Sequence, residues 1–518
     1  MWNPKVILLE RTRTEKTIIN LTYAMLCQFI IFILEFYMRK EFSSVLGEVY
    51  LGLDSTFDSV LMMISASNLG IVSAIAYSLY KPLAEADEKR LKAAFKFLRN
   101  SCWFMGIFFG VCGIIFSYRL NLILNNADTI LNIKIIYLFY LANVILPYFF
   151  AHRRWLILND QRRYIVILNS FISTVLGLLA KLIFLGIYKS FLIFSICILS
   201  TTLIEGVITF VVSNRLYPFL KYKITEKLTK SEKKIILKNV KGATLNQAFG
   251  LVIHTTDSIY ISKIAGIIVA GIYAPYKFII NALKTINWQF CESIAASFGN
   301  LAAEGDIKKL EKRFYDVLFI GNCFFSAVVC NLIVNFSPLI NIWMPKNHIF
   351  DNKVVAIILF NFYLMGIHKI VKTIRDNMGI YWPARYITIC EAIINLAVSY
   401  FGVKFYGIAG ILGGTTISIL ATCFWWEPYL LYKHGFKTKL TVYFKKQFLY
   451  YALTFVCCYI CVNLCKKLVT QVVWARIFYN TLIVLIVQGF IFFVAFKNSE
   501  EYLFFKELIC SKLGKRSC

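Results

Sequence analysis

Acidic side chains are scarce in this chain, with 28 Asp and Glu against 56 Lys and Arg, a formal net charge of +28. Histidine is scarcer, with five scattered residues and no metal-ligand spacing among them. There is no Asp-x-Asp motif, no His-Glu-x-x-His motif and no phosphate-binding glycine loop. No long outer loop offers an aqueous catalytic domain. A membrane glycosyltransferase or polymerase therefore has no residues here to carry its chemistry. Fifteen cysteines are present, nearly all inside apolar segments. Cys458, Cys461 and Cys465 share one helix face, and Cys458-Tyr-Ile-Cys461 has CxxC spacing, but they read as small apolar packing residues. A zinc or redox site would need a closed ligand set near water. No metal and no cofactor is expected. Stretch 18–38 lacks a small-residue cleavage site after it and is expected to stay as a first anchor.

What the chain does have is apolar residues, 59% of the total. Hydrophobic stretches of about 20 residues recur from Ile18 to Phe496, and about 20 apolar residues cross the ~30 Å core of a bilayer as a helix. About fourteen helices are expected on that criterion. They cover 18–38, 56–80, 101–117, 133–151, 165–186, 191–212, 243–262, 271–300, 314–336, 354–376, 386–401, 408–432, 448–465 and 477–496. The fold class is an all-α polytopic membrane protein. In a soluble chain the positive charge would suggest nucleic acid, but here the cations sit in short loops. No basic stretch interleaves aromatics for base stacking, so nucleic acid is not expected as a partner.

With the N-terminus placed inside, 41 Lys and Arg fall in inner segments and 11 in outer loops. That asymmetry predicts both termini in the cytoplasm. The lysine-rich stretch 214–242 divides the chain into an N-terminal lobe, 1–213, and a C-terminal lobe, 243–432, of six helices each. The last two helices and a basic tail occupy 433–518. Six is an even number, so both lobes enter the bilayer in one direction, which permits a parallel repeat. Leu83-Ala-Glu-Ala-Asp87-Glu-Lys-Arg-Leu and Leu301-Ala-Ala-Glu-Gly-Asp306-Ile-Lys-Lys-Leu follow the second helix of each lobe and support it.

Charges within spans are costly, about 2.5–3.5 kcal/mol each at the centre. Lys277, Asn281, Lys284, Trp288 and Glu292 fall within an arc of about 80° at 100° per residue. They need water or a polar partner. Asp54, Asp58, Ser65 and Asn68 share a similar arc in the second helix. Gln28 and Glu35 lie in the first, and Asn246, His254 and Asp257 in the seventh. The first two helices of each lobe therefore carry polar faces, and pairing the lobes along them would make a hydrated central cleft. Ion pairs that only hold the bundle together are the competing reading. Lys181 and Glu205 are expected to pair with each other. Arg375, Asp376 and Glu427 lie near helix ends, where snorkelling suffices.

Several stretches resemble one family. They are Leu46-Gly47-x-x-Tyr50-Leu51-Gly52-Leu53, Leu69-Gly70, Tyr77-Ser78-Leu79-Tyr80-Lys81-Pro82-Leu83-Ala84 with Asp87, Asp160-Gln161-x-x-Tyr164, and Asp257 with Gly271-x-Tyr273-x-x-Tyr276. Together they are similar to bacterial polysaccharide biosynthesis proteins of the Wzx flippase type. Those belong to the MOP exporter superfamily with the MATE drug exporters and the lipid II flippase MurJ. Family members usually carry Asn-Gly where this chain has Asp54-Ser55.

The resemblance implies two six-helix lobes around a central cavity, with two extra helices in some members. It also implies a cargo, an undecaprenyl-pyrophosphate-linked oligosaccharide. Such a unit is flipped outward across the bacterial cytoplasmic membrane for capsule, O-antigen or related lipopolysaccharide assembly. Lys277 and Lys284 become the candidates for the pyrophosphate. Trp288, Tyr273 and Tyr276 are candidates for stacking on sugar rings. A coupling ion, proton or sodium, and contact with glycan polymerase machinery and membrane lipids are further expectations. The alternative function is a cation-coupled multidrug exporter of the MATE type, and after it a membrane glycan polymerase.

Overall fold

A chain this apolar must satisfy its backbone N–H and C=O groups within itself, and helices do so locally. The computed structural model describes residues 13–66, 69–79, 82–83, 85, 87–122, 124, 132–160, 162–222, 224–344, 348–380, 383–467 and 472–512. Among the described residues there is no strand. The helices are α1 (Arg13–Leu46), α2 (Glu48–Ala66), α3 (Leu69–Ala76), α4 (Glu88–Ser117), α5 (Ile133–Asn159), α6 (Arg163–Tyr188), α7 (Phe191–Leu216) and α8 (Lys230–Tyr260). They continue as α9 (Ile267–Glu304), α10 (Ile307–Trp343), α11 (Asn352–Asn377), α12 (Ile387–Ala421), α13 (Cys423–Leu430), α14 (Leu440–Lys467), α15 (Val473–Phe496) and α16 (Glu500–Lys512). The chain forms two compact units, Met1–Leu251 and Val252–Cys518. Helix α8 begins inside the basic stretch 214–242 and runs across the unit boundary.

The described residues of the fourteen expected stretches are almost all helical, but ten segments among the described residues are long and apolar enough to cross a membrane by length and composition. Two expected stretches, 386–401 and 408–432, fall in one segment, Ile387–Phe436, as the two arms of a hairpin. Helices α1, α2 and α8 carry Glu35, Asp54, Asp58 and Asp257. Of the ten segments, Ile267–Ala295 in α9 has the lowest mean hydropathy, 1.3, because it holds the Lys277–Glu292 stripe.

The two matched loops do the same work in their own units. The Asp87 carboxylate accepts the backbone N–H of Arg90 at 3.0 Å and caps α4. The Asp306 carboxylate accepts the N–H of Lys309 at 3.0 Å and caps α10. An acid at this position satisfies an orphan N–H and meets the positive end of the helix dipole.

Helix α12 is a hairpin of two antiparallel arms. The chain reverses at Gly407, whose φ of 56° and ψ of −134° belong to glycine. Ser399 Oγ donates to the Ile411 carbonyl at 3.0 Å, and Asn395 Nδ2 donates to Thr415 Oγ1 at 3.0 Å. The arms meet backbone to backbone. A Cβ on Gly410 would lie 2.0 Å from the Gly402 carbonyl oxygen.

Near the end of α11 the structure corrects an expectation. Arg375 does not snorkel, because α13 covers the last turn of α11. It is 5% exposed, and its NH1 donates at 2.6 Å to Glu427, itself 2% exposed. Asp376 accepts from Arg375 Nε at 3.1 Å. The cysteines pack as apolar residues. Cys457 and Cys461 are buried with Phe319, Tyr450 and Phe492. Cys330 Sγ lies 3.3 Å from Cys458 Sγ, and all described cysteines are free thiols.

Candidate functional site

Each unit gathers its own charged cluster. In the second unit α8, α9 and α12 supply it. Asp257 on α8 accepts from Thr415 Oγ1 on α12, 3.1 Å from each carboxylate oxygen. The cations acting on Asp257 are Lys284 and Lys277, both on α9. Lys277 Nζ donates to Ser258 Oγ at 2.8 Å. Tyr273 lies beside Asp257 and packs with Ile261 and Ile411. Two lysines thus share one carboxylate, and a hydroxyl on the second arm of the hairpin already occupies that carboxylate. Among the described residues of this cluster there are two lysines and one carboxylate.

Further along the same face of α9, Asn281, Trp288 and Glu292 are exposed, while Lys277 and Lys284 are partly buried. Trp288 is 57% exposed, and Lys369 Nζ of α11 sits 3.9 Å above its ring. Glu292 acts electrostatically on that lysine. Tyr276 is placed differently from the expectation. It is fully buried, its ring packs against Phe336 and Phe350, and its hydroxyl accepts the Phe350 N–H at 3.2 Å. It lies one helical turn from Tyr273 but on the core side of α9, so it has no face to offer a sugar.

In the first unit α1, α2, α5 and α6 converge. Lys181 of α6 is partly buried, and the acids acting on it are Asp54, Asp58 and Glu35. Tyr140 of α5 donates its hydroxyl proton to Asp54 at 2.5 Å. Arg39 is the main cation acting on Glu35. The Phe194 ring lies 5.5 Å from Lys181 Nζ. The expected Lys181–Glu205 pair does not form. Glu205 pairs instead with Arg154 at 3.2 Å. Helix α6 packs on α1 as well as on α7, and Lys181 meets the carboxylates brought by α1 and α2. The side chains of Asn246, His254 and Ser65, and residue Asn68, lie outside the described residues.

Sequence reasoning missed Lys369, Tyr140, Thr415 and Asn395. Lys369 reads as one more cation of an inner loop, although it lies within α11. Thr415 and Asn395 are uncharged residues in apolar stretches, and nothing in the pattern marks them before the hairpin folds. Among the described residues no group of three or more His, Cys, Asp or Glu is placed to hold a metal ion.

No protein-family model matches the chain, and no curated protein matches it. Solved structures do. The lipid II flippase MurJ in an inward closed conformation superposes with a TM-score of 0.71 at 12% identity, covering 94% of this chain and 100% of that one. An inward-facing multidrug resistance MATE family transporter of the MOP superfamily gives 0.61 at 13% identity, covering 80% and 97%. A MOP superfamily transporter from Pyrococcus furiosus, described as having a binding pocket of reverse polarity, gives 0.58 at 13% identity, covering 83% and 98%. At such identities the likeness speaks for the fold. The chain is a multi-pass, all-helical membrane protein with the fold of MurJ and the MATE transporters.

Proposed function

We propose that the protein is a flippase for a lipid-linked oligosaccharide. On this reading it moves undecaprenyl-pyrophosphate-linked repeat units from the inner to the outer leaflet of a bacterial cytoplasmic membrane by alternating access. The cargo is destined for capsule, O-antigen or exopolysaccharide. Both termini lie in the cytoplasm, as the loop charges favour. The carrying observation is that Lys277 and Lys284 of α9 both act on the single carboxylate Asp257 of α8, two cations to one acid among the described residues of that cluster, on a fold that matches MurJ over 94% of the chain.

The physics of the cargo fits that surplus. Sugar hydroxyls and phosphate oxygens cannot cross hydrocarbon unsatisfied, since each costs several kcal/mol. A polar helix face can take the headgroup while the polyprenyl tail stays in lipid. Lys277 and Lys284 are seven residues apart, about two turns, so they can address one pyrophosphate together. The membrane potential is worth about 2.3 kcal/mol per charge per 100 mV and would drive an anion outward. A proton or sodium ion is the alternative drive, and the glycan polymerase is the expected next partner of the released lipid.

The second reading is a multidrug exporter. It draws on the first unit, where Glu35, Asp54 and Asp58 outnumber Lys181 and Arg39 and would suit a cationic solute.

Leaflet-resolved labelling of lipid-linked glycans in cells lacking the protein tests the proposal. Repeat units should accumulate on the inner leaflet while their synthesis continues. Cells that cannot assemble the lipid-linked unit at all would make the protein an enzyme. Normal outward transport together with drug hypersensitivity would favour the exporter.

A further inference from the structure

The stripe on α9 has two chemically different ends. Lys277 and Lys284 belong to the Asp257 cluster, which suits an anion. One turn beyond Lys284 the character changes. Trp288 is 57% exposed, and no other aromatic ring packs on it among the described residues. Lys369 Nζ, 3.9 Å above the ring, covers one face of the indole. Glu292 follows one turn later on the same stripe, is exposed, and acts on Lys369. The other groups acting on Lys369 are Cys291 beside Glu292 and Lys372 and Asp376 on α11 itself.

An exposed tryptophan on a membrane helix is ordinarily read as an interfacial anchor facing lipid. Trp288 does not fit that reading. It stands on a stripe that is polar from Lys277 through Asn281 and Lys284 to Glu292, rather than on the apolar face from which a lipid-facing anchor projects. A flat aromatic face backed by a fixed cation and flanked by an acceptor instead has the chemistry that receives a sugar ring. The sugar's C–H face packs on the face of the indole that Lys369 does not cover. The Lys369 ammonium holds the indole from behind, and the Glu292 carboxylate accepts from a sugar hydroxyl.

We propose that Trp288, Lys369 and Glu292 form a saccharide subsite, separate from the phosphate end at Lys277 and Lys284, that reads the glycan of the lipid-linked cargo. This rests on the flippase reading and adds to it the place where the glycan is distinguished from its carrier. At about 1.5 Å per residue, Glu292 lies ~12 Å along α9 from Lys284 and ~22 Å from Lys277. The subsite therefore meets sugars beyond the pyrophosphate linkage, in the order phosphate then glycan toward the Glu304 end of the helix. Lys369 is held over the indole, so it acts as a positioning residue for that ring.

The test uses the full-length protein in proteoliposomes with two probes, undecaprenyl pyrophosphate and the same lipid carrying a tetrasaccharide, each followed by leaflet-specific chemical labelling. Trp288→Ala should slow the glycan lipid about tenfold and leave the bare lipid within about twofold, since only the stacking surface is lost. Trp288→Tyr should restore most of the difference. Lys369→Met should show the same selective loss at a smaller size, about threefold. Movement of the bare lipid reports that each variant is folded and competent. If Trp288→Ala misfolds, Trp288→Tyr and Lys369→Met carry the comparison. Equal slowing of both probes in every variant, or no slowing of either, overturns the subsite and leaves the flippase reading standing. A wild-type protein that moves neither probe overturns both.

Discussion

The two units solve the same problem with opposite signs. Both bury charge in helices that otherwise belong in a bilayer, and both do it where their first helices meet. In the first unit one lysine, Lys181, is set against Glu35, Asp54 and Asp58, with Arg39 beside Glu35. In the second, Lys277 and Lys284 both act on Asp257, which Thr415 also meets. The Arg375–Glu427 pair, at 2.6 Å and closed off from solvent, shows what a structural charge looks like in this molecule, and Asp376 accepts from the same guanidinium. Lys277 and Lys284, partly buried, and Asp58, exposed, differ from it in exposure.

The comparison breaks most directly at α9. Lys277→Ala combined with Lys284→Ala should abolish outward movement of the lipid-linked saccharide while expression stays at wild-type level. Lys→Arg at either position should keep partial activity, because charge is retained although geometry differs. If Lys284 served only to neutralise Asp257, then Lys284→Met with Asp257→Asn would transport normally. That result would return the second unit to the structural class.

The next effect in size belongs to the buried Arg375–Glu427 pair. Arg375→Met should destabilise by about 3–5 kcal/mol, because Glu427 is left buried without its partner. Arg375→Met with Glu427→Leu should recover most of the loss. Thermal unfolding of the purified protein in detergent reads both. A single variant that unfolds at the wild-type temperature would remove the standard against which the other clusters are judged.

The smallest effect is expected at Lys181. The site is partly buried and holds a second cation, Arg39, so Lys181→Met should cost roughly 1–3 kcal/mol. Asp54→Asn in the same chain should offset part of it, whereas Glu205→Gln should not, because Glu205 pairs with Arg154. Rescue by Glu205→Gln and not by Asp54→Asn would restore the pairing that the sequence suggested.

Much of this was legible in the sequence because it depends on period and on desolvation, which are local. Apolar runs of span length predict helices, and the described residues of the expected stretches are almost all helical. The matched loops at Asp87 and Asp306 carry an acid where a helix begins, and both acids cap. The α9 stripe follows from 100° per residue, and the structure leaves Asn281, Trp288 and Glu292 exposed along it. The same wheel cannot say which side of a neighbouring helix a residue meets. Tyr276 was grouped with Tyr273, yet it lies in the core against Phe336 and Phe350. Lys181 was paired by proximity in sequence with Glu205, yet it faces α1 and α2.

The sequence by itself determined that this chain is a membrane-embedded helical protein and which helices had to carry its charge. An apolar run of about 20 residues has one stable solution in lipid, and a charge within it must be paid for wherever it lies. Tertiary structure alone decided which charge meets which. It set Asn395 against Thr415 by reversing α12 at Gly407, brought Thr415 to Asp257, and set Lys369 over Trp288 by packing α11 on α9. Those partners lie tens to more than a hundred residues apart, and no local pattern encodes a contact that exists only once the helices have packed.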